Sequence, residues 1–305
     1  MNRKVTINNS HMKKQIKSLE KYRFNTFSDN DTDESVEVEG YLISKLMFDK
    51  NGNTIETKSF DSDEEVEEHI QFKYNDENLK TEEILFNENE IAERHEFFYN
   101  DKKQITKELI YYQDDMFDTM IFEYDQDKIV KRTLTDSDDE VESITIYKYD
   151  KENLINECKY DADKTILAEK KYVFNDAGLL VKTEFYDIET EDKNATEYEY
   201  DERGNKTKTL ALDKSGKLVE RYTYTYDNKN NMITLLEEGI GKYAFFTIEY
   251  DEEGNAMKQE ETDEEGEVVS TITNTYLDGN IVEVQSFGRE YHHNRMYKYE
   301  YEFFE

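Results

Sequence analysis

The chain has 305 residues, of which 37% are charged and 13% aromatic, and its 39 basic against 73 acidic residues leave a net charge of −34. That acidity suits a disordered chain, but disordered chains are poor in aromatics, and 24 Tyr and 17 Phe at regular intervals exclude it. So negative a field repels nucleic-acid phosphates and anionic membranes and attracts basic polypeptides or cations, although it also serves simply to keep a long sheet soluble.

Met1 to Ser10 has no apolar core of the kind a secretory signal needs. No stretch approaches the roughly 18 apolar residues of a membrane span, so the expectation is a soluble, cytoplasmic protein. Asn9-Ser10-His11-Met12 reads equally as an artificial junction in place of a removed leader. Residues 1–40 read as an N-terminal cap or a degenerate repeat. Val36 and Val38 alternate with Glu37 and Glu39 ahead of Tyr41-Leu42, whereas residues 12–24 alternatively form a short helix capping a sheet edge.

From residue 41 the chain is periodic. An aromatic anchor recurs at Phe48, Tyr74, Tyr99, Tyr124, Tyr149, Phe174, Tyr200, Tyr226, Tyr250 and Tyr276, at intervals of 24 to 26 residues. Asp or Asn follows every anchor but Tyr276, which Leu277 follows. Gly or Asn stands four residues after each anchor except where Lys103 and Lys128 take its place. Ahead of the anchor, polar and apolar residues alternate, as in Ile70-Gln71-Phe72-Lys73-Tyr74 and Tyr222-Thr223-Tyr224-Thr225-Tyr226. That is the two-residue period of a strand with one apolar face. The Asp or Asn starts a turn by accepting backbone amides, and Gly or Asn tolerates a left-handed backbone there. A second strand such as Asn205–Leu210 ends in a second turn, for example Asp136-Ser137-Asp138-Asp139 or Asp263-Glu264-Glu265-Gly266. Each unit of about 25 residues is therefore two strands and two turns, and residues 41–301 hold about ten units. Tyr297–Tyr301 supplies a last strand, residues 302–305 a tail, and no Pro interrupts any ladder.

The anchor and turn, best seen in Tyr198-Glu199-Tyr200-Asp201-Glu202-Arg203-Gly204-Asn205 and Glu249-Tyr250-Asp251-Glu252-Glu253-Gly254-Asn255, resemble the YD repeat, also called the RHS repeat, of bacterial polymorphic toxins and teneurins. The likeness covers roughly residues 40–301. It implies a spiral sheet forming a hollow shell around another polypeptide, in an interbacterial toxin or immunity setting. This chain departs in having only 11 Gly, in its acidity, and in showing no terminal toxin domain or autoproteolytic core. MORN repeats have a similar period but demand more Gly, and rank second.

The expected fold is all-β: one curled antiparallel meander, a spiral of about twenty strands. Strands twist by about 20–25° per pair, and curling brings the aromatic face inward, where rings pack across strands for about 0.2–1 kcal/mol per pair. A barrel of so many strands is too wide for its own side chains to fill. Its lumen then holds solvent or a ligand, or the sheet stays flattened or open.

No catalytic constellation stands out. Acidic pairs such as Glu64-Glu65 and Asp138-Asp139 fall in turns, where solvation explains them, and the closing Glu of an EF-hand is missing. His292 and His293 point to opposite faces of a strand and do not share a metal. Cys158, the single cysteine, permits no intramolecular disulfide and reads as a half-buried thiol. Gly239-Ile240-Gly241 is a loop variation without the rest of a phosphate-binding pattern. The aromatic rows remain, with Tyr149, Tyr198, Tyr200, Tyr222, Tyr224, Tyr226 and Tyr250 as the candidate binding face, against the simpler reading that they are core packing. The expectation is a non-enzymatic scaffold that binds or partly encloses a polypeptide, a basic one if charge decides. The alternatives are a carbohydrate-binding or glycan-processing protein and an acidic nucleic-acid mimic. No cofactor, no metal, and no nucleic-acid or membrane partner is expected, and the oligomeric state is left open.

Overall fold

The computed structural model describes residues 15–28, 35–37, 40–112, 116–289 and 293–305. Within them are 23 strands and no helix. The strands include β1 (Ile16–Ser28), β2 (Ser35–Glu37), β3 (Tyr41–Phe48), β4 (Thr54–Phe60), β22 (Asn280–Gly288) and β23 (His293–Phe303). From β3 to β23 each strand pairs antiparallel with the next, as the hairpin repeat requires.

The sheet is closed. β1 lies between the two ends of the meander, pairing with β23 from Ile16↔Phe303 to Phe27↔His293 and with β3 from Ser18↔Met47 to Arg23↔Tyr41. The result is a barrel of 22 antiparallel strands, with β2 paired only to the end of β1. This bears out the all-β antiparallel meander, replaces the expected spiral with a closed barrel, and decides the question of closure that the sequence left open. The physical reason is residues 16–28, which form the missing strand and satisfy both edges, where a helix would leave them bare. The helix reading of 12–24 fails over its described part. β23 also runs through Glu302 and Phe303, so those two residues are not tail. The proposed junction at 1–12 and His292 lie outside the described residues.

Register sets the shape. Tyr198 pairs with Thr209, which pairs with Tyr222; Tyr224, Leu235 and Phe246 repeat the step. In each case the line of pairing moves from two residues before one anchor to four before the next. A slip of two residues per two strands, carried round the ring, makes the total stagger equal to the strand number. That ratio corresponds to a tilt of about 36°. A circular section of this tilt and strand number is on the order of 40 Å across between backbones. The wall is one sheet thick: accessible surface is 21110 Å², against roughly 13,500 Å² for a compact globule of this mass. Among the described residues only Ser18, Ile84, Ser143, Thr145, Cys158, Ala244 and Met296 are buried. Cys158 at 3% exposure is buried rather than half-buried.

Pairing also sorts side chains onto two faces. Anchors and the residues two and four before them share one; the intervening residues share the other. Asp49 and Asn53 show that backbone groups of the second face bond to the following strand. With the rotation that strands of L-residues adopt and the direction of the register slip, the anchor face must line the lumen. Exposure agrees, since Lys73, Glu123, Val173, Glu199, Thr225, Glu249 and Thr275, beside the anchors on the other face, are exposed while the anchors are half-buried.

Candidate binding wall

The anchors form a hoop around the lumen near one rim, and Tyr301 completes it as an eleventh member. Beside each of the ten anchors from Phe48 to Tyr276 the pairing register shifts, as at Tyr200↔Lys206 and Tyr226↔Met232. Such a bulge disrupts the ladder and frees a carbonyl. The next anchor takes it. Tyr74 donates to the Thr54 carbonyl at 2.9 Å, Tyr99 to Lys80 at 2.6 Å, Tyr124 to Ile105 at 2.8 Å and Tyr149 to Ile129 at 3.0 Å. Tyr200 donates to Leu180 at 2.7 Å, Tyr226 to Lys206 at 2.7 Å and Tyr250 to Met232 at 2.8 Å. Tyr276 reaches Ala256 at 3.2 Å and Tyr301 reaches Ile281 at 2.7 Å. Burial pushes the Tyr124, Tyr200, Tyr226 and Tyr250 hydroxyls above their ordinary pKa. Four of the seven candidate residues, Tyr149, Tyr200, Tyr226 and Tyr250, are thus pins between neighbouring repeats, with only their rings left to face the lumen.

The other three stand behind them. Tyr198 and Tyr222 flank Thr209 on one pairing line, and Tyr224 is two residues from Tyr222 on the same face. Lys206 Nζ lies 4.7 Å from the Tyr198 ring centre. The Tyr222 hydroxyl donates to Glu220 at 2.6 Å, a bond that raises its pKa first, with burial second. Tyr224 bonds weakly to Thr209 Oγ1 at 3.4 Å. Tyr198 and Tyr224 belong to a second hoop, two residues before the anchors, which holds Phe72, Phe97, Phe122, Tyr147, Tyr172 and Tyr299 as well. Sequence reading missed it as a hoop, although the aromatic two residues ahead of the anchor was its signal.

The turns are structural. Asp251 accepts the Asn255 side chain at 2.8 Å and its backbone N–H at 2.8 Å, and these bonds hold its carboxyl below the ordinary range. Asn205 and Asn53 reach across to Asn230 and Asn78 of the next turn, at 2.9 and 3.2 Å. Lys103 sits at φ 63° where Gly was expected. Lys128, Asn153 and Asn280 do not hold that position, because their turns are one residue shorter, as Tyr124↔Ile129 against Tyr200↔Lys206 shows, and the left-handed residues are Gln126, Lys151, Asp278 and Gly279.

On the lumen face His95 is clamped by Glu108 at Nδ1, 2.7 Å, and Glu93 at Nε2, 2.5 Å. The Glu108 bond chiefly raises its pKa, against burial. The outer face carries ion pairs between neighbours, such as Lys131–Glu123 and Lys208–Glu199, both at 2.7 Å. Among the described residues no group of three or more His, Cys, Asp or Glu is placed to hold a metal ion.

No protein-family model and no curated protein sequence matches the chain. Among solved structures it is similar to a TcdB2-TccC3-Cdc42 crystal structure, at 12% identity and a TM-score of 0.42, over 88% of this chain and 16% of that one. This chain therefore spans about a sixth of the length of that protein. It is also similar to a porin-like protein from Bacteroides uniformis, at 10% identity and a TM-score of 0.34, over 92% of this chain and 97% of that one.

Proposed function

We propose that this protein is a non-enzymatic ring that binds or encloses a partner polypeptide, with basic surfaces favoured. The observation that carries the reading is the closed, one-layer wall: a bore far wider than its own side chains fill, lined by two hoops of half-buried rings. Rings held with solvent on one side are the wall a protein or peptide docks against. The net charge of −34 attracts a basic partner toward the rims. A lipid-spanning barrel needs an apolar outer band, whereas here the outer wall is laced with ion pairs such as Lys171–Glu169 and Lys258–Glu260.

Stopped-flow association with a lysine-rich peptide tests this. The rate falls steeply between low and high salt if approach is electrostatic, and an unchanged rate ends that part of the reading. Binding on a glycan array, with protection of Tyr198 and Tyr224 by the sugar, would favour the carbohydrate alternative instead.

A further inference from the structure

Large exposed apolar side chains gather on the outer wall beside the rim opposite the anchor hoop. In unit after unit the strand that leaves the second turn carries one at or next to its first residue. Val66, Ile91, Phe117, Val141, Ile166 and Val268 are all exposed, the first two at 51%. Pairing puts them on the outer face: Ile166 faces Tyr160, which faces Ile144, five residues before the anchor Tyr149. At the other rim the outward positions beside the anchors include Lys73, Glu123, Lys148, Glu199 and Glu249. The belt widens over β8 (Ile105–Tyr111), β9 (Phe117–Asp125), β10 (Lys128–Thr135), β11 (Val141–Asp150) and β12 (Asn153–Tyr160). Between Lys107, Glu123, Lys131 and Lys148 and the second-turn rim, no paired outward position of these strands is charged. The pairing lines there read Ile121-Thr133-Ile144 and Leu109-Thr119-Thr135. Five strands about 4.8 Å apart, over about five residues of about 3.3 Å, make an uncharged area on the order of 400 Å². That equals the largest apolar patch a monomer ordinarily exposes, which is often functional. Cross-strand packing, such as Tyr111 against Phe117 at 5.3 Å between ring centres, covers one side of these residues and leaves the other in solvent. Along the rim the belt is bordered by the exposed carboxylates Asp63, Asp138, Asp139, Glu140 and Glu142.

We propose that this belt, widest around Phe117, Ile121, Val141 and Ile144, docks a basic, amphipathic segment of the partner polypeptide on the outside of the ring. The segment's apolar side chains cover the uncharged wall, and Lys or Arg along its flank meet the carboxylates of the second turns. That combination selects the occupant. Acidic turns repel an anionic lipid surface, and the band, about 17 Å tall at its widest, is short of the roughly 25 Å that a lipid-facing barrel presents. A second copy brings another net charge of −34 and is repelled. The inference rests on the reading that the partner is a basic polypeptide, and it adds where the grip lies: beside one rim, so that the two ends of the ring are not equivalent.

The test uses fluorescence anisotropy with two labelled peptides of equal length and charge, one alternating Lys with Leu and one alternating Lys with Ser. The Lys-Leu peptide binds the native ring about tenfold or more tighter than the Lys-Ser peptide. Phe117→Ser with Ile121→Thr and Val141→Thr weakens the Lys-Leu peptide by roughly tenfold or more, and Asp138→Asn with Glu140→Gln weakens both peptides. Val173→Thr with Leu277→Thr, at positions 46% and 64% exposed beside the anchors, leaves binding unchanged. Urea unfolding verifies that each variant is folded, and Ile121→Thr alone, which keeps a β-branched residue in the strand, shifts the affinity in the same direction. Equal affinity for the two peptides, or unchanged affinity in the triple variant, overturns the proposal, and a steep salt dependence then leaves the basic-partner reading standing. Binding of neither peptide removes both. Capture by phosphatidylcholine vesicles, or a native oligomer in sedimentation, that the triple variant abolishes assigns the belt to lipid or to a second copy and overturns the proposal as well.

Discussion

Tyr226→Phe keeps the ring and removes only the hydroxyl that donates to the Lys206 carbonyl at 2.7 Å. A neutral hydrogen bond contributes about 0.5–1.5 kcal/mol, and leaving its half-buried acceptor bare adds to the loss, so the expected cost is about 1–2 kcal/mol. Successive anchors are two strands apart, about 10 Å, far enough for their effects to add. Tyr200→Phe, Tyr226→Phe and Tyr250→Phe together should therefore cost about 3–6 kcal/mol. The opposite change is available at Phe174, which faces Leu154, the residue paired with the preceding anchor at its register shift. Phe174→Tyr supplies the missing donor and should stabilise by about 0.5–1.5 kcal/mol. Urea unfolding reads both as shifts in midpoint at constant slope. A Tyr226→Phe protein within about 0.3 kcal/mol of the native one, or a Phe174→Tyr protein less stable than native, would refute the account of tyrosines as pins.

Anchor hydroxyls with raised pKa contribute stability that is fully present below the unfolded tyrosine value near 10 and is lost as pH rises through the folded values. Ultraviolet titration should show these tyrosines ionising together with loss of the β-sheet dichroism; ionisation of all 24 Tyr near pH 10 in a still-folded protein contradicts it. Leu19→Pro in β1 removes a ladder donor in the closing strand. The two edges it covers then become available, and light scattering should find concentration-dependent oligomers beyond the native state; an unchanged oligomeric state with unchanged stability counts against closure by β1. Cys158, 3% exposed, should react with a thiol reagent only on unfolding, so fast labelling of the native protein would place it elsewhere.

The repeat was legible because its information is local. Alternation, Asp or Asn after the ring and a left-handed residue in the turn all fall within a few positions of each anchor. Closure was not, because Leu19 and Tyr301 meet across nearly the whole chain, and the inner face of β1 carries Lys21 and Arg23 where an apolar stripe was the expected sign of a strand. The candidate tyrosines were found, but their division into pins and free rings was hidden, since a hydroxyl's partner depends on a bulge one repeat earlier. At Asn153 the residue type matched while the turn did not: Lys151 takes the left-handed conformation there, so composition alone misplaced it.

Because every unit carries its own two-residue offset, duplication or loss of one hairpin pair would change circumference and total stagger in the same proportion, leaving the pitch of the strands as it was. The diameter of such a hoop is then set by copy number, in increments of a single gene segment. Lineages are free to resize the opening by recombination between neighbouring units without redesigning the wall.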